Sequence, residues 1–187
     1  TTSATRPVVV ANAVGGGPLL AVSEVGVGPD FSCARKGRQV RCWGANGSSQ
    51  LGDGTTATRA LPVSVLDVDG EGPLTGVAQL SVGQTHACAR LVNGEVRCWG
   101  ANERGQLGDG TTTTRSRATV VVNPEQTGPL TDVVEVSAGH GLTCARLMSG
   151  EARCWGANTG NGTAGSNRPV AVLDPTGGAP LGGITNV

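Results

Sequence analysis

Short runs of alternating apolar and polar residues recur along the chain, each only as long as one strand. Val77, Gln79 and Ser81 interleave with Ala78, Leu80 and Val82, and Val134 and Val136 interleave with Glu135 and Ser137. That period of two predicts half-buried β-strands, and no segment carries a helical period. Gly, Pro and Asn separate the runs at regular spacing, so the pattern predicts an all-β architecture with several short strands per unit, as in blades or sandwiches.

The runs belong to an internal repeat. Cys-Trp-Gly-Ala-Asn occurs at Cys42–Asn46, Cys98–Asn102 and Cys154–Asn158, and both steps measure 56 residues. Self-similarity at such a period marks a stack of like units that cannot bury their apolar faces alone. Trp43, Trp99 and Trp155, Gly44, Gly100 and Gly156, and Asn46, Asn102 and Asn158 are therefore read as repeated structural positions. A second landmark, Pro-Leu, stands at Pro18, Pro73, Pro129 and Pro180, four copies against three, so the chain is out of phase with its own repeat. It is expected to open at Thr1-Thr2 in the tail of a preceding unit and to stop at Ile184–Val187 in the first strand of a following one, as a piece of a longer protein. The division expected is 1–27, 28–82, 83–138 and 139–187, all one repeat domain.

Six cysteines fall as three close pairs: Cys33 with Cys42, Cys88 with Cys98, and Cys144 with Cys154. Between Cys88 and Cys98 lies Asn93-Gly94, a strong hairpin signal because both residues tolerate positive φ. The midpoint of the pair falls on Asn93, so directly opposed cysteines require an odd loop, such as a three-residue turn with a bulge at Gly94. The third pair centres on Ser149, just before Gly150. The first centres between Gly37 and Arg38 and requires an even loop, with Gly37 leading a type II′ turn. Metal ligation is the competing reading, but the spacing is far from Cys-x-x-Cys and no second ligand pair recurs in each unit. Disulfides are the expectation, and they place the protein outside the reducing cytosol, in an extracellular or cell-surface setting.

Composition narrows the rest. With 31 Gly and 10 Pro but only three Trp, one Phe and no Tyr, any core is thin and built from Val, Leu, Ala and Cys. Fourteen basic and fourteen acidic residues cancel, and neither sign forms a run that tracks a phosphate backbone, which argues against nucleic acid. No apolar stretch approaches the roughly 20 residues of a bilayer span, so no membrane insertion is expected. The chain lacks an initial Met and a signal-peptide pattern, so a leader, if one existed, lies outside it or has been removed.

The segments Val82-Gly83-Gln84-Thr85-His86-Ala87-Cys88-Ala89, Asn93-Gly94-Glu95-Val96-Arg97-Cys98-Trp99-Gly100-Ala101-Asn102 and Gly105-Gln106-Leu107-Gly108-Asp109-Gly110-Thr111 together resemble the regulator of chromosome condensation repeat, in its bacterial, Cys-bearing form. The resemblance covers essentially the whole chain. It implies β-propeller blades of four antiparallel strands, here about three and a third units of 56 residues, forming an incomplete ring or an open array. Two departures stand out. The family's His matches His86, whose counterparts are Phe31 and Leu142, and the third unit replaces Gln-Leu-Gly-Asp-Gly with Thr159-Gly160-Asn161-Gly162, which is expected to lose the turn.

Each candidate site has a plain counterpart. The Trp row reads as buried bodies whose indole N–H finds a carbonyl rather than as a ligand-binding stripe. Asp53 and Asp109 read as turn formers rather than calcium ligands. Arg6, Arg59, Arg115 and Arg168 recur after the Thr-rich tail; they are candidates to face an acidic partner, against the reading of a charged edge that discourages aggregation. Asn46-Gly47-Ser48 and Asn161-Gly162-Thr163 match the glycosylation acceptor pattern. No nucleophile elbow, phosphate-binding loop or His-Glu-x-x-His is present, and no cofactor or metal is implied. The expected function is a non-enzymatic extracellular scaffold that binds a protein or glycan; the alternative is a structural subunit of a filament or surface layer whose units are completed by copies of itself.

Overall fold

A computed structural model describes residues 6–12, 16–176 and 178–187, so the expectation for Thr1-Thr2 lies outside the described residues. Among the described residues, twelve strands form three four-stranded antiparallel sheets, each a meander of consecutive strands. The first blade comprises β1 (Val22–Val27), β2 (Phe31–Lys36), β3 (Gln39–Gly44) and β4 (Arg59–Ser64). The second comprises β5 (Val77–Val82), β6 (His86–Leu91), β7 (Val96–Gly100) and β8 (Arg115–Val120). The third comprises β9 (Val133–Ala138), β10 (Leu142–Leu147), β11 (Ala152–Ala157) and β12 (Gly165–Ala171). No helix is present among the described residues, and the ring is not closed.

Each hairpin is set by its turn. Cys88 stands opposite Cys98, and Cys144 opposite Cys154; Gly94 and Gly150 take φ of 81° and 84° at the bulge of a three-residue loop. In the first blade Lys36 pairs directly with Gln39, leaving Gly37 (φ 59°) and Arg38 as a two-residue turn with positive φ only at its first position, the II′ arrangement. All six cysteines are joined within these hairpins, with 4.1 Å between paired Cα atoms.

The strict alternation read from Val77–Val82 does not hold. A bulge at Ala78 brings Val77 and Leu80, rather than Ala78 and Leu80, onto the buried side, and Ser23 and Val134 are bulged at the same place in the other blades. An inserted residue adds one to the count between inward side chains, which a period-two reading cannot see.

The core lies between blades. One apolar cluster joins Phe31, Val40, Leu51 and Val65 of the first blade to Val77, Leu80 and Trp99 of the second. Another joins Val96, Leu107 and Val121 to Val133, Val136 and Trp155 of the third. The bulged strand adds a directional bond at each step. Glu24 accepts from Leu80 N at 2.9 Å, Gln79 from Val136 N at 3.0 Å, and Glu135 from Val187 N at 3.2 Å. Glu24 and Glu135 also pair with Arg35 and Arg146, at 2.9 and 3.3 Å. Gln79 has no charge to offer, and the Nε of neighbouring Arg90 is buried without a partner.

Two measurements check this account. Replacing Cys88 and Cys98 together by Ala is expected to remove about 3 kcal/mol of stability on the chain-entropy estimate, read from the urea midpoint. Gln79→Glu supplies the carboxylate that Arg90 lacks and is expected to raise the melting temperature by about 3 °C, corresponding to about 1 kcal/mol, despite loss of the Gln79 amide bond to Val136 O.

Candidate functional site

The loops that leave β3 and β7 are built from the repeated Trp-Gly-Ala-Asn motif. Gly44, Gly100 and Gly156 take φ of 109°, 104° and 101°, and a Cβ there would stand 2.5, 2.6 and 2.4 Å from the carbonyl oxygens of Asp30, Thr85 and Gly141. Only glycine lets the strand pass this close to the neighbouring loop.

Beyond it, Asn46 is fully buried: its Oδ1 accepts from Leu51 N at 3.0 Å, and its Nδ2 donates to Asp53 Oδ1 at 3.1 Å and Thr55 O at 3.0 Å. Asn102 repeats these bonds with Leu107, Asp109 and Thr111 at 2.9, 3.2 and 3.2 Å. Asp53 and Asp109 in turn accept from Arg59 and Arg115, both at 2.7 Å, and from the backbone and hydroxyl of Thr55 and Thr111. Burial alone would raise both carboxyls, but the Thr and Arg donors outweigh it and hold them below the ordinary value of 3.8. The stabilisation they supply is full above that value and is lost only as the pH falls through the lower folded one.

Several sequence readings change here. Arg59 and Arg115 are not a free row, because each is clamped to an aspartate of its own blade. Arg168 does not belong with them: Gly44 and Gly100 face Arg59 and Arg115, whereas Gly156 faces Ser166, and Arg168 stands where Arg117 does in the second blade. Arg117 lies over Gly70 of the preceding loop, and Arg168 Nη1 reaches Pro124 O at 3.4 Å, so this second row rests on the blade before it. Arg6, in the same Arg-Pro-Val context as Arg168, is exposed. The aspartates are surrounded by N–H and O–H donors rather than by the oxygens of a calcium site. Asn46 has its amide committed and is closed to glycosylation in the folded chain.

The third unit keeps more of its turn than its sequence suggests. Asn161 Oδ1 accepts from Thr163 N at 3.1 Å and from Thr163 Oγ1 at 2.7 Å, as Asp53 does from Thr55, and Leu173 N bonds Gly160 O as Leu66 N bonds Gly52 O. What is missing is the four-residue segment that carries Gln-Leu in the other two units. Asn158 is accordingly exposed, with φ of 54°, and does not take the buried role of Asn46.

The tryptophans also differ among themselves. Trp99 is fully buried and donates to Gln50 O of the preceding blade at 3.0 Å, packed where Gly52 leaves room for it. Trp155 is equally buried, but its Nε1 has no partner, and Trp43 is half-buried on the open side of the first blade. Sequence reading missed the forward-reaching Glu24, Gln79 and Glu135. Their recurrence at nearly the repeat spacing was a usable signal, hidden by the unrecognised bulge. Among the described residues, no three His, Cys, Asp or Glu side chains gather as a metal site, and no helix is long and apolar enough to cross a membrane.

Comparison with known proteins agrees with this geometry. Two family models described as the regulator of chromosome condensation (RCC1) repeat match, one over residues 39–90 and 93–146 and one over 77–106. The Arabidopsis thaliana ultraviolet-B receptor UVR8 is 28% identical over 137 residues, which are 72% of this chain and 29% of that protein. The human E3 ubiquitin-protein ligase HERC2 is 35% identical over 103 residues, 54% of this chain and 2% of that protein. The chain therefore spans less than a third of either relative, and the similarity is to the repeat alone. Among solved structures, human WBSCR16 superposes with a TM-score of 0.68 at 19% identity, covering 80% of this chain and 37% of that one. Yeast RCC1 (Prp20), solved bound to Kap60, gives 0.57 at 18% identity, covering 82% and 38%. These likenesses establish the fold as propeller blades.

The Asn-Asp-Arg clasp predicts that Asp109→Asn lowers stability by about 2 kcal/mol, because charge-assisted bonds to Thr111 and Arg115 are weakened together. The difference from the parent chain, read by chemical denaturation, is expected to persist from pH 8 to pH 5 and to shrink only below about pH 4.

Proposed function

Because this chain belongs to the regulator of chromosome condensation repeat family, we propose that it is a non-enzymatic scaffold that binds another protein through the rim formed by its hairpin tips. The observation that carries this reading is the contrast between a fixed framework and a variable edge. Each tip is pinned by the next first strand: Val77 N bonds Arg38 O at 3.1 Å, Val133 N bonds Gly94 O at 3.1 Å, and Ile184 N bonds Gly150 O at 3.3 Å. The tips themselves read Gly37-Arg38, Val92-Asn93-Gly94 and Met148-Ser149-Gly150. Within the strands and hairpin turns of the second and third blades the exposed large apolar side chains are Val92 and Met148, 54% and 73% accessible, and both stand on this rim, whereas Val68, on the loop before β5, is exposed elsewhere. Variable tips, two of the three apolar, on a rigid support suit recognition of a protein surface.

Yeast RCC1 is itself seen in complex with another protein, Kap60, which is in keeping with a binding role. The three disulfides support a setting outside the reducing cytosol. A glycan partner is the other class to be tested.

A second reading, a structural subunit completed by its neighbours, has one observation in its favour. Val9, Leu19, Val25, Ala34 and Trp43 line an apolar recess of about 250 Å³ on the open side of the first blade. Growth of long polymers with concentration, seen by sedimentation and electron microscopy, is its signature.

Affinity capture on the immobilised chain, followed by identification and titration of the captured protein, tests the first reading. The affinity is expected to fall at least tenfold in Val92→Ser/Met148→Ser and to stay unchanged in Leu61→Ser, on the outer strand. Equal affinity in both variants, or retention of glycans alone on a glycan array, overturns it.

A further inference from the structure

The two joints between blades are built differently. At the first, Phe31 opens β2, and the carbonyl of Gln50 accepts the indole N–H of Trp99 at 3.0 Å. At the second, His86 opens β6, and the hydroxyl of Thr143 in the third blade donates to Gln106 O at 2.9 Å while its oxygen lies 2.9 Å from His86 Nε2. A hydroxyl has one proton. With that proton on Gln106, Thr143 Oγ1 accepts from His86, and the network assigns the imidazole hydrogen to Nε2. Nδ1 is then a bare lone pair, fully buried, without a partner, and turned toward Gly83. Trp155 Nε1 is a second orphan at the same joint.

We propose that the contact between the second and third blades is an acid-sensitive hinge, opened by protonation of His86 at Nδ1 while the first and second blades stay together. A proton there creates a charged donor against the Gly83 backbone that no acceptor bonds, since the carbonyl nearest to Gly83, that of Gly139, already receives Gln84 N at 3.2 Å. Turning the ring to offer Nδ1 to Thr143 merely exchanges one orphan nitrogen for the other.

No nearby charge offsets this. On its own strand the charged side chain is Arg90; β5 brings none, β7 brings Arg97, β9 brings Glu135 and β10 brings Arg146. None of them bonds to the imidazole: Arg97 pairs with Glu95 and Arg146 with Glu135. On the flanking loops, Arg104 lies along Gly141, and His140 is exposed. The staples lie inside hairpins, so no disulfide ties the second blade to the third.

Burial accordingly holds His86 down to about 4, against an ordinary 6.5. The closed joint is fully stable above the ordinary value and loses stability as the pH falls from there toward the lower one, because the opened state binds the proton more tightly. At pH 5.0 the ratio of open to closed is raised about twentyfold over that at pH 7.0. The clasp aspartates of the first and second blades titrate below 3.8 and stay ionised in this window. The hinge is independent of what the rim binds.

Hydrogen exchange read by mass spectrometry on the disulfide-bonded chain tests it at pH 7.0 and 5.0, with labelling times scaled for the intrinsic rate. Strands β9 and β10 are expected to lose about twentyfold of their protection at pH 5.0 while β2 keeps its own. His86→Phe and His86→Leu, which install the residues standing at this position in the first and third blades, are expected to hold protection at both values. An NMR titration of the His86 ring in the parent chain is expected to give a midpoint near 4. A loss uniform over the three sheets, no loss in the parent chain, a loss that survives in both variants, or a midpoint near 6.5 overturns the proposal.

Discussion

A four-stranded sheet of Val, Ala and Cys has two apolar faces and no interior of its own, so each blade of this chain is folded only against its neighbour. The apolar clusters lie between sheets and not within them. Everything that gives the molecule its shape serves that contact. The bulge in each first strand aims Glu24, Gln79 and Glu135 forward, the tryptophans of the later blades lie where a glycine of the preceding turn makes room, and the hairpin tips are tied to the strand that begins the next sheet.

The repeat fixes that plan, but its side chains are not interchangeable. The first and third blades carry the Glu-Arg pair, and the second substitutes a glutamine that bonds Val136 at both its oxygen and its nitrogen. This trades a charge interaction within the blade for a second hydrogen bond between blades. Likewise the Gln carbonyl that receives an indole at the first joint receives a threonine hydroxyl at the second. A common backbone therefore supports joints of different polarity, and function has room to vary on a scaffold whose outline does not change.

How much of this could be read from the chain depends on whether the signal was local. Hairpin register followed from the positions of Cys88, Cys98 and Asn93, because turn chemistry acts over a few residues. The blade architecture followed from the spacing of Cys-Trp-Gly-Ala-Asn, and the family resemblance gave the number of strands. What failed needed pairing information. Val77 and Leu80 share a side because of an inserted residue, which no count of apolar positions reveals. Arg168 was grouped with Arg59 by its distance from a Thr-rich tail, although the third unit had lost residues in between. The clasp of Asn46, Asp53 and Arg59 joins a buried amide to a turn and a strand, and the charge pattern alone offered only an exposed basic row.

Each cysteine bridge closes a hairpin and never joins one sheet to another, which bears on how the chain yields under load. Tension applied at its ends meets only non-covalent contacts between blades, so neighbouring sheets can part before any sulfur bond is stretched. Once a sheet unravels, the staple withholds the loop it encloses, between cysteines nine positions apart in the first blade and ten apart in each of the others. The extended chain thus falls short of its full contour length and keeps a folded-back hairpin in each unit from which the sheet can regrow.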